Sequence, residues 1–185
     1  SELWRRCSGL VLDPVWAVSI QASSYAYSPG GDRGDGSTLD QRYDRNVRAL
    51  GLDGQHRLAS ATVGVVGVGG LGSMVAEQLA RLGVGELVLV DPDKVEASNL
   101  SRLVGVYDHH VGQPKVTAVR EHLWKSSAGS MSVEVVPERV QDCASVLDRC
   151  DVVVGCVDTV TARSFCNEYA VKHLTYYLDA GVRID

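Results

Sequence analysis

Three glycines follow an apolar run with the spacing G-x-G-x-x-G, at Gly67, Gly69 and Gly72. The run before them, residues 63–66, is rich in valine, which is typical of a buried parallel strand. Glycines at this spacing allow a tight turn that brings backbone N–H groups close to a phosphate at the N-terminus of a helix. The stretch therefore predicts a nucleotide-binding loop.

Two aspartates near the end of the next apolar run are candidates for binding a ribose. Asp91 directly ends the run 86–90, at about the distance from the glycine loop that a ribose-binding carboxylate takes in dinucleotide-binding folds. Asp93 is the other candidate, but Asp91 is better placed because it follows the run without a gap. The loop and Asp91 alone would fit a nicotinamide-dependent enzyme as well as an ATP-binding one.

Three further charged side chains occupy positions that point to the same ligand. Arg102 and Lys115 follow the second apolar run, and Asp158 ends the fourth one. Because the carboxyl ends of parallel strands line one crevice, Asp91 and Asp158 should face the same ligand. The two cations can offset the charge of phosphates, and a carboxylate can hold Mg²⁺. The set therefore favours a triphosphate with its metal ion over a second nucleoside.

The elements that must position these residues alternate between strands and helices. Alternation of this kind, with continuous apolar strands, indicates an α/β fold. We expect a Rossmann-like, doubly wound and mostly parallel sheet, with helices on both faces and an N-terminal extension. The strands are predicted at 63–67, 86–90, 132–136, 151–157 and 175–178, with helices in the gaps.

Apolar residues at helical spacing mark the faces that these helices should bury. Gly83 should end the helix that follows the glycine loop, and Pro114 stands where the next helix can begin. The predicted buried stripes are Leu71, Val75, Leu79 and Leu82, then Val116, Val119 and Leu123, and then Ala162, Phe165, Cys166 and Tyr169.

The chain divides into an N-terminal extension, residues 1–40, and a nucleotide-binding domain, residues 41–185. The extension ends in a polar, turn-rich linker at 28–37 and reads as the remnant of an upstream domain. A helix is predicted between residues 39 and 61, with Tyr43, Val47 and Leu50 on one face and a break at Gly51. Since Asp185 comes shortly after the fifth strand, we expect the domain to be incomplete at its C-terminus.

Composition and charge argue against several classes of protein. With 45% hydrophobic and 22% charged residues, the 185-residue chain has the composition of a soluble globular protein, and no apolar run is long enough to span a membrane. The net charge of −5 argues against a nucleic-acid partner. Five cysteines without C-x-x-C pairs indicate reduced, buried thiols in a cytoplasmic protein and no zinc site. We expect the adjacent His109 and His110 to point in different directions rather than to bind a metal ion.

The charged residues and the glycine loop fall in the order of one family. The motifs concerned are Arg42-Tyr43-Asp44-Arg45-Asn46, the glycine loop at 67–73, Asp91, Ser98-Asn99-Leu100-Ser101-Arg102, Gly112-Gln113-Pro114-Lys115 and Val157-Asp158. Over about residues 40–185 the chain resembles the ThiF/MoeB/HesA adenylyltransferases, which share their fold with the ubiquitin-activating enzymes. Leu103 stands where these proteins often have glutamine, and Thr159 where asparagine is common, but neither departure removes a charged group.

The resemblance implies an activity and a partner. Members of the family activate the C-terminal carboxylate of a ubiquitin-like or sulfur-carrier protein. This carboxylate attacks the α-phosphate of ATP and gives an acyl-adenylate and pyrophosphate. Because it is already ionised at neutral pH, the reaction depends more on charge stabilisation than on a general base. The half of the family's domain that carries the carrier-binding surface, and in some members a zinc site or a catalytic cysteine, is not recognisable in this sequence.

The resemblance also implies a nucleotide site in which Asp91 binds the ribose hydroxyls and Asn99, Arg102 and Lys115 contact phosphates. Asp158 would be the ligand of Mg²⁺. The residues implied for ATP binding are Gly67, Gly69, Gly70, Gly72, Asp91, Ser98, Asn99, Arg102, Lys115 and Asp158.

The catalytic residues implied by the resemblance are all charged. Arg45 would match the arginine that these enzymes supply to the triphosphate from the partner subunit, which makes a homodimer the expected assembly. The implied catalytic set is Arg45, Arg102, Lys115 and Asp158.

Two alternative functions fit part of the sequence. A nicotinamide-dependent oxidoreductase would need the glycine loop and Asp91, but a hydride-transfer enzyme has no need of Arg102, Lys115 and Asp158, and the chain shows no separate substrate domain. A non-catalytic scaffold that binds a partner but not ATP is the second alternative. The complete charged set argues against such a degenerate protein.

Overall fold

The computed structural model describes residues 40–127 and 130–181. The chain forms two compact units, one that ends at Gln55 and one that begins at His56. The linker at 28–37 and Cys7 lie outside the described residues, and the predicted domain boundary at residue 40 stays a prediction.

The described part of the N-terminal unit consists of a short 3₁₀ turn, Gln41–Tyr43, and most of the helix α1, Asp44–Ser60. Gly51 interrupts this helix with a φ of 75°, a left-handed conformation that favours glycine. The predicted break at Gly51 is confirmed.

The unit that begins at His56 is built on a parallel sheet, which has five strands in the described residues. Their order is β3-β2-β1-β4-β5, and every neighbouring pair is parallel. The order reverses between β1 and β4, which is where open sheets of this kind bind ligands. The predicted Rossmann-like fold is confirmed, with strand ends within two residues of those predicted. The strands are β1 Thr62–Val66, β2 Glu86–Val90, β3 Ser132–Val136, β4 Val152–Gly155 and β5 Tyr176–Asp179.

Helices pack on both faces of the sheet, as predicted. The helices are α2 Gly70–Leu82, α3 Lys115–Ser126 and α4 Val160–His173. Successive residues of β1 point to opposite faces, so that Val65 packs with α2 and α3 whereas Val66 packs with α4. Gly83 ends α2 in a left-handed conformation, with a φ of 83°. In the described part of the chain, no helix combines the length and the apolar character that a membrane crossing requires.

The buried face of α2 differs from the predicted stripe. Leu71 and Leu82 are exposed, and Val75 and Leu79 are half-buried at the edge of the core. The fully buried residues are Gly72, Ser73, Ala76 and Ala80. Small side chains face the sheet because α2 starts so close to the glycine loop that larger ones would not fit between the helix and β1.

Candidate functional site

A cavity of about 590 Å³ opens at the carboxyl ends of the central strands. Val66 and Val90, the last residues of β1 and β2, line it together with Cys156, which follows β4. Its volume is in the range that holds a small ligand. The predicted site residues that line the cavity are Gly67, Gly69, Gly70, Asp91, Arg102, Lys115 and Asp158.

Three helices of the described chain start at this cavity. Gly70 begins α2, Lys115 begins α3, and Thr159 caps α4 by accepting a hydrogen bond from the N–H of Ala162. All four residues line the cavity. Because the N-terminus of a helix carries partial positive charge and unpaired N–H groups, the cavity favours an anion.

The glycine loop divides into residues that shape the turn and residues that face the ligand. Gly67 has a φ of 87°, and a Cβ built on Gly72 would lie 1.8 Å from the carbonyl oxygen of Gly67. Gly72 therefore packs against the loop and does not line the cavity. Gly69 lines the cavity, and a Cβ there would meet no atom within 4 Å. The stem of Arg102 passes over Gly70, where a Cβ would lie 3.4 Å from three of its carbons.

Asp91 is buried and held by two backbone hydrogen bonds. Its Oδ2 accepts from the N–H of Val68 at 2.6 Å, and its Oδ1 accepts from the N–H of Asp93 at 2.9 Å. Burial raises the pKa of the Asp91 carboxyl, while these two bonds and the charge of Lys115 oppose the rise. Each carboxylate oxygen keeps a second lone pair, so Asp91 can also accept the hydroxyls of a ribose.

Both predicted cations line the cavity, but they are held differently. The Arg102 side chain is exposed, and its Nη1 donates to the carbonyl oxygen of Ser98 at 3.0 Å. Lys115 is largely buried, with a side chain 12% exposed, and its Nζ lies 2.7 Å from Oδ2 of Asp93. Asp93 also lines the cavity, although the sequence interpretation passed it over in favour of Asp91.

Ser98 and Asn99 do not line the cavity. Asn99 is buried, where its Oδ1 accepts the N–H of Glu96 at 3.3 Å and its Nδ2 donates to Oγ of Ser98 at 3.3 Å. The N–H of Arg102 donates to the carbonyl oxygen of Asn99 at 3.0 Å. The structure thus places both residues in the turn that carries Arg102. Arg45 is exposed on α1 in the N-terminal unit, and its predicted role stays a prediction.

Asp158 differs from the two other aspartates of the cavity. Asp91 accepts two backbone N–H groups and Asp93 pairs with Lys115. Among the described residues, none donates a hydrogen bond to the carboxylate of Asp158 or forms an ion pair with it. Carboxylate oxygens are the ligands that Mg²⁺ prefers, so Asp158 fits a metal ion at the edge of an anion site.

The residues after β3 form a wall of the cavity that the sequence interpretation missed. This wall consists of Glu138, Arg139, Val140 and Gln141. The signal that could have found it is topological, because β3 ends at the same edge of the sheet as β2 and β4. These residues carry no recognisable motif.

Residues 43–184 match the family model described as the ThiF family. The chain belongs to the ThiF family. It is 41% identical over 138 residues to the SAMP-activating enzyme E1 of Haloferax volcanii, covering 72% of this chain and 50% of that protein. It is 37% identical over 130 residues to the molybdopterin-synthase adenylyltransferase of Escherichia coli, covering 68% of this chain and 52% of that protein. The chain therefore spans about half the length of these two ThiF-family relatives.

A solved structure supports the same ThiF assignment. The tRNA N6-threonylcarbamoyladenosine dehydratase of E. coli in complex with ATP superposes with a TM-score of 0.69 at 29% identity. The alignment covers 78% of this chain and 62% of that protein. The resemblance predicted from the motifs is confirmed.

The cysteines of the ThiF-family unit are core thiols, as predicted. Cys143, Cys150 and Cys166 are buried, and Cys156 is half-buried at the cavity. Burial raises the pKa of Cys150, Cys156 and Cys166 to about 11. These thiols are protonated at neutral pH and are therefore poor nucleophiles.

We expect Cys156 to react slowly with iodoacetamide at pH 7.5 and about tenfold faster for each pH unit toward pH 11, because the thiolate is the reacting form. ATP with Mg²⁺ should slow the reaction further, since Cys156 lines the cavity. Peptide mass spectrometry measures the modified fraction, and the unfolded chain provides the control. Labelling of Cys156 in the folded chain as fast as in the unfolded control at pH 7.5 would contradict the assignment.

Contrary to the prediction from the sequence, the side chains of His109 and His110 do not point in different directions. The ring centroids of His109 and His110 lie 3.9 Å apart, and ligand atoms of these residues and Glu121 lie within 4.8 Å of one another. However, Nδ1 of His110 accepts the N–H of Tyr107 at 3.0 Å, which leaves the proton on Nε2, 3.2 Å from Oε2 of Glu121. Lys125 and His110 hold the pKa of Glu121 at about 2. Both nitrogens of His110 are thus used within the protein, and the cluster is structural.

Proposed function

We propose that this chain is the ATP-binding part of an enzyme that adenylates the C-terminal carboxylate of a ubiquitin-like or sulfur-carrier protein. The observation that carries the proposal is the set of charges in one cavity. This set consists of the anchored Asp91, the cations Arg102 and Lys115, and Asp158, which has no partner among the described residues. This set suits a nucleoside triphosphate with a divalent cation. The names of the relatives, an adenylyltransferase and an activating enzyme, support it.

The cavity supplies the features that adenylation needs. The carrier's carboxylate oxygen bonds to the α-phosphorus of ATP, and the bond from that phosphorus to the bridging oxygen breaks, so that pyrophosphate leaves with the electron pair. Arg102, Lys115 and the N-termini of α2 and α4 neutralise charge on the phosphates. Mg²⁺, when bound, supplies further charge neutralisation, and Asp158 would hold it.

The order of residues along the sheet edge suggests how the nucleotide lies. Asp91 follows β2, the glycine loop follows β1, and Asp158 comes three residues after β4. Ribose at Asp91 and phosphates at the N-terminus of α2 bring the triphosphate toward Asp158. We place Asn99 and Ser98 in this scheme as residues that position Arg102.

The partner and assembly stay proposals. The net charge of −5 favours a protein over tRNA as the carrier of the activated carboxylate. The homodimer, the contribution of Arg45 from a partner subunit and the cytoplasmic location are predictions from the sequence.

We expect ATP with Mg²⁺ to raise the melting temperature of the chain by about 5 to 10 °C at about 100 times Kd, because a ligand that binds only the folded state stabilises it. NAD at the same concentration should change the melting temperature little. Differential scanning calorimetry or fluorimetry measures the shift. A larger shift with NAD would favour the oxidoreductase, and no shift with either nucleotide would favour the scaffold.

A further inference from the structure

Asp93 holds Lys115 at two points. Oδ2 of Asp93 lies 2.7 Å from Nζ of Lys115, and the carbonyl oxygen of Asp93 accepts the N–H of Lys115 at 2.9 Å. The N–H of Asp93 donates to Oδ1 of Asp91 at 2.9 Å. Asp93 therefore connects the carboxylate at the ribose end of the cavity to the lysine at the start of α3.

The segment around Asp93 is fixed against the start of α3. Lys94 and Pro114 form an antiparallel bridge, and the N–H of Val95 donates to the carbonyl oxygen of Gln113 at 2.8 Å. Because the backbone of both segments is paired, a change of the Asp93 side chain should leave the chain path intact. The side chain of Asp93 is 64% exposed, so its truncation creates no internal cavity.

The charge of Asp93 is unfavourable in a phosphate site unless it acts on a cation. Its carboxylate lines the cavity and would repel a triphosphate. A lysine side chain has a flexible stem of four carbons and loses rotamer entropy when it is fixed. The bond to Asp93 fixes this side chain before a ligand arrives and uses one of the three donors of the ammonium group. Two donors remain for phosphate oxygens.

We propose that Asp93 is a positioning residue, which holds the ammonium group of Lys115 in place for the phosphates of the nucleotide. This inference rests on the proposed function, because it assumes that Lys115 contacts phosphates. Asp93 acts through Lys115 and makes no contact of its own with the phosphates or the metal ion.

The test is a double-mutant cycle with calorimetric titration of ATP and Mg²⁺. Asp93→Asn should weaken ATP binding about three- to tenfold, although it removes a negative charge from an anion site, because the lysine must then be ordered on binding. In the Lys115→Met background the same change should leave ATP binding equal or slightly tighter. Asp93→Glu should restore part of the affinity, and adenosine, which lacks phosphates, should bind all variants equally.

Glu138→Gln is the charge-matched control. Glu138 also lines the cavity, and the change removes one negative charge without touching Lys115. It should tighten ATP binding slightly, which is opposite in sign to the effect of Asp93→Asn. Tighter ATP binding by Asp93→Asn would show that Asp93 competes with phosphate for Lys115 and would overturn the proposal. An equal loss of affinity with and without Lys115 would assign Asp93 another role, such as a metal ligand.

A second measurement needs no nucleotide. Reductive dimethylation followed by mass spectrometry should modify Lys115 several-fold faster in Asp93→Asn than in the wild type, relative to Lys125 in the same sample. An unchanged rate would overturn the positioning role. If the wild-type chain binds no ATP but labelling of Lys115 rises, the proposed function fails while the contact between Asp93 and Lys115 stands.

Discussion

Gly72→Ala should destabilise the chain by about 3 kcal/mol or more, which lowers the melting temperature by about 6 to 12 °C. The new Cβ would lie 1.8 Å from the carbonyl oxygen of Gly67 and 2.9 Å from its carbonyl carbon. Both are backbone atoms, so no side chain can move aside to relieve the contact. Gly67 itself is fixed at a φ of 87°, with its N–H bonded to the carbonyl oxygen of Val90 at 2.8 Å.

Gly69→Ala is the matched control in the same loop. Gly69 has a φ of −78°, which any residue adopts, and a Cβ there would meet no atom within 4 Å. We expect this variant to unfold at the same urea concentration and temperature as the wild type. It should bind ATP more weakly, because Gly69 lines the cavity and the new methyl group would take up space there. Equal stability of the two variants would contradict the packing of Gly72 against the loop.

The strands could be predicted closely because their sequence signal is strong. β2, Glu86–Val90, is buried on both faces, so that every residue from Leu87 to Val90 is apolar, and its bounds are those predicted. Strand order was not predicted, since it depends on the path of the crossovers. The reversal between β1 and β4 nevertheless explains why Asp91 and Asp158, which are far apart in the sequence, line one cavity.

The buried face of α2 could not be predicted from periodicity. Ala76 and Ala80 contribute little to an apolar stripe, whereas Leu71 and Leu82 dominate it. What decides the orientation is the close approach of Gly72 to Gly67, which is a three-dimensional contact between backbones. A hydrophobic stripe indicates the buried face only when the spacing between helix and sheet admits large side chains.

The ion pair between Lys115 and Asp93 could not be predicted from the sequence either. The two residues are separated by the crossover from β2 to α3, and their contact depends on how residues 93–95 pair with residues 112–115. The direction of the Asn99 side chain was unpredictable as well. It depends on the capping turn Ala97–Asn99, which directs this side chain inward. Positions at strand ends are readable from topology, whereas positions in long loops are not.

Asp158→Asn should remove the Mg²⁺ dependence of ATP binding and lower carrier-driven ATP–pyrophosphate exchange, the readout of the proposed function, at least about a hundredfold. Asparagine keeps the size of the side chain but loses the charge that attracts the metal ion. Stability should hardly change, because no described residue donates a hydrogen bond to Asp158. Asp91→Asn, in contrast, should lower the stability of the fold, since the new amide group would face the N–H group of Val68 or of Asp93.

The control for Asp158→Asn is Asp142→Asn, which removes the same charge from an exposed residue that is not among those lining the cavity. It should keep both the exchange rate and the magnesium requirement of the wild type. Titration of ATP at several Mg²⁺ concentrations separates loss of the metal from loss of the nucleotide. An Asp158→Asn variant with full exchange and an unchanged magnesium requirement would show that another carboxylate holds the ion. Asp93 and Glu138 would then be the remaining candidates among the carboxylates that line the cavity, because Asp91 already accepts two backbone hydrogen bonds.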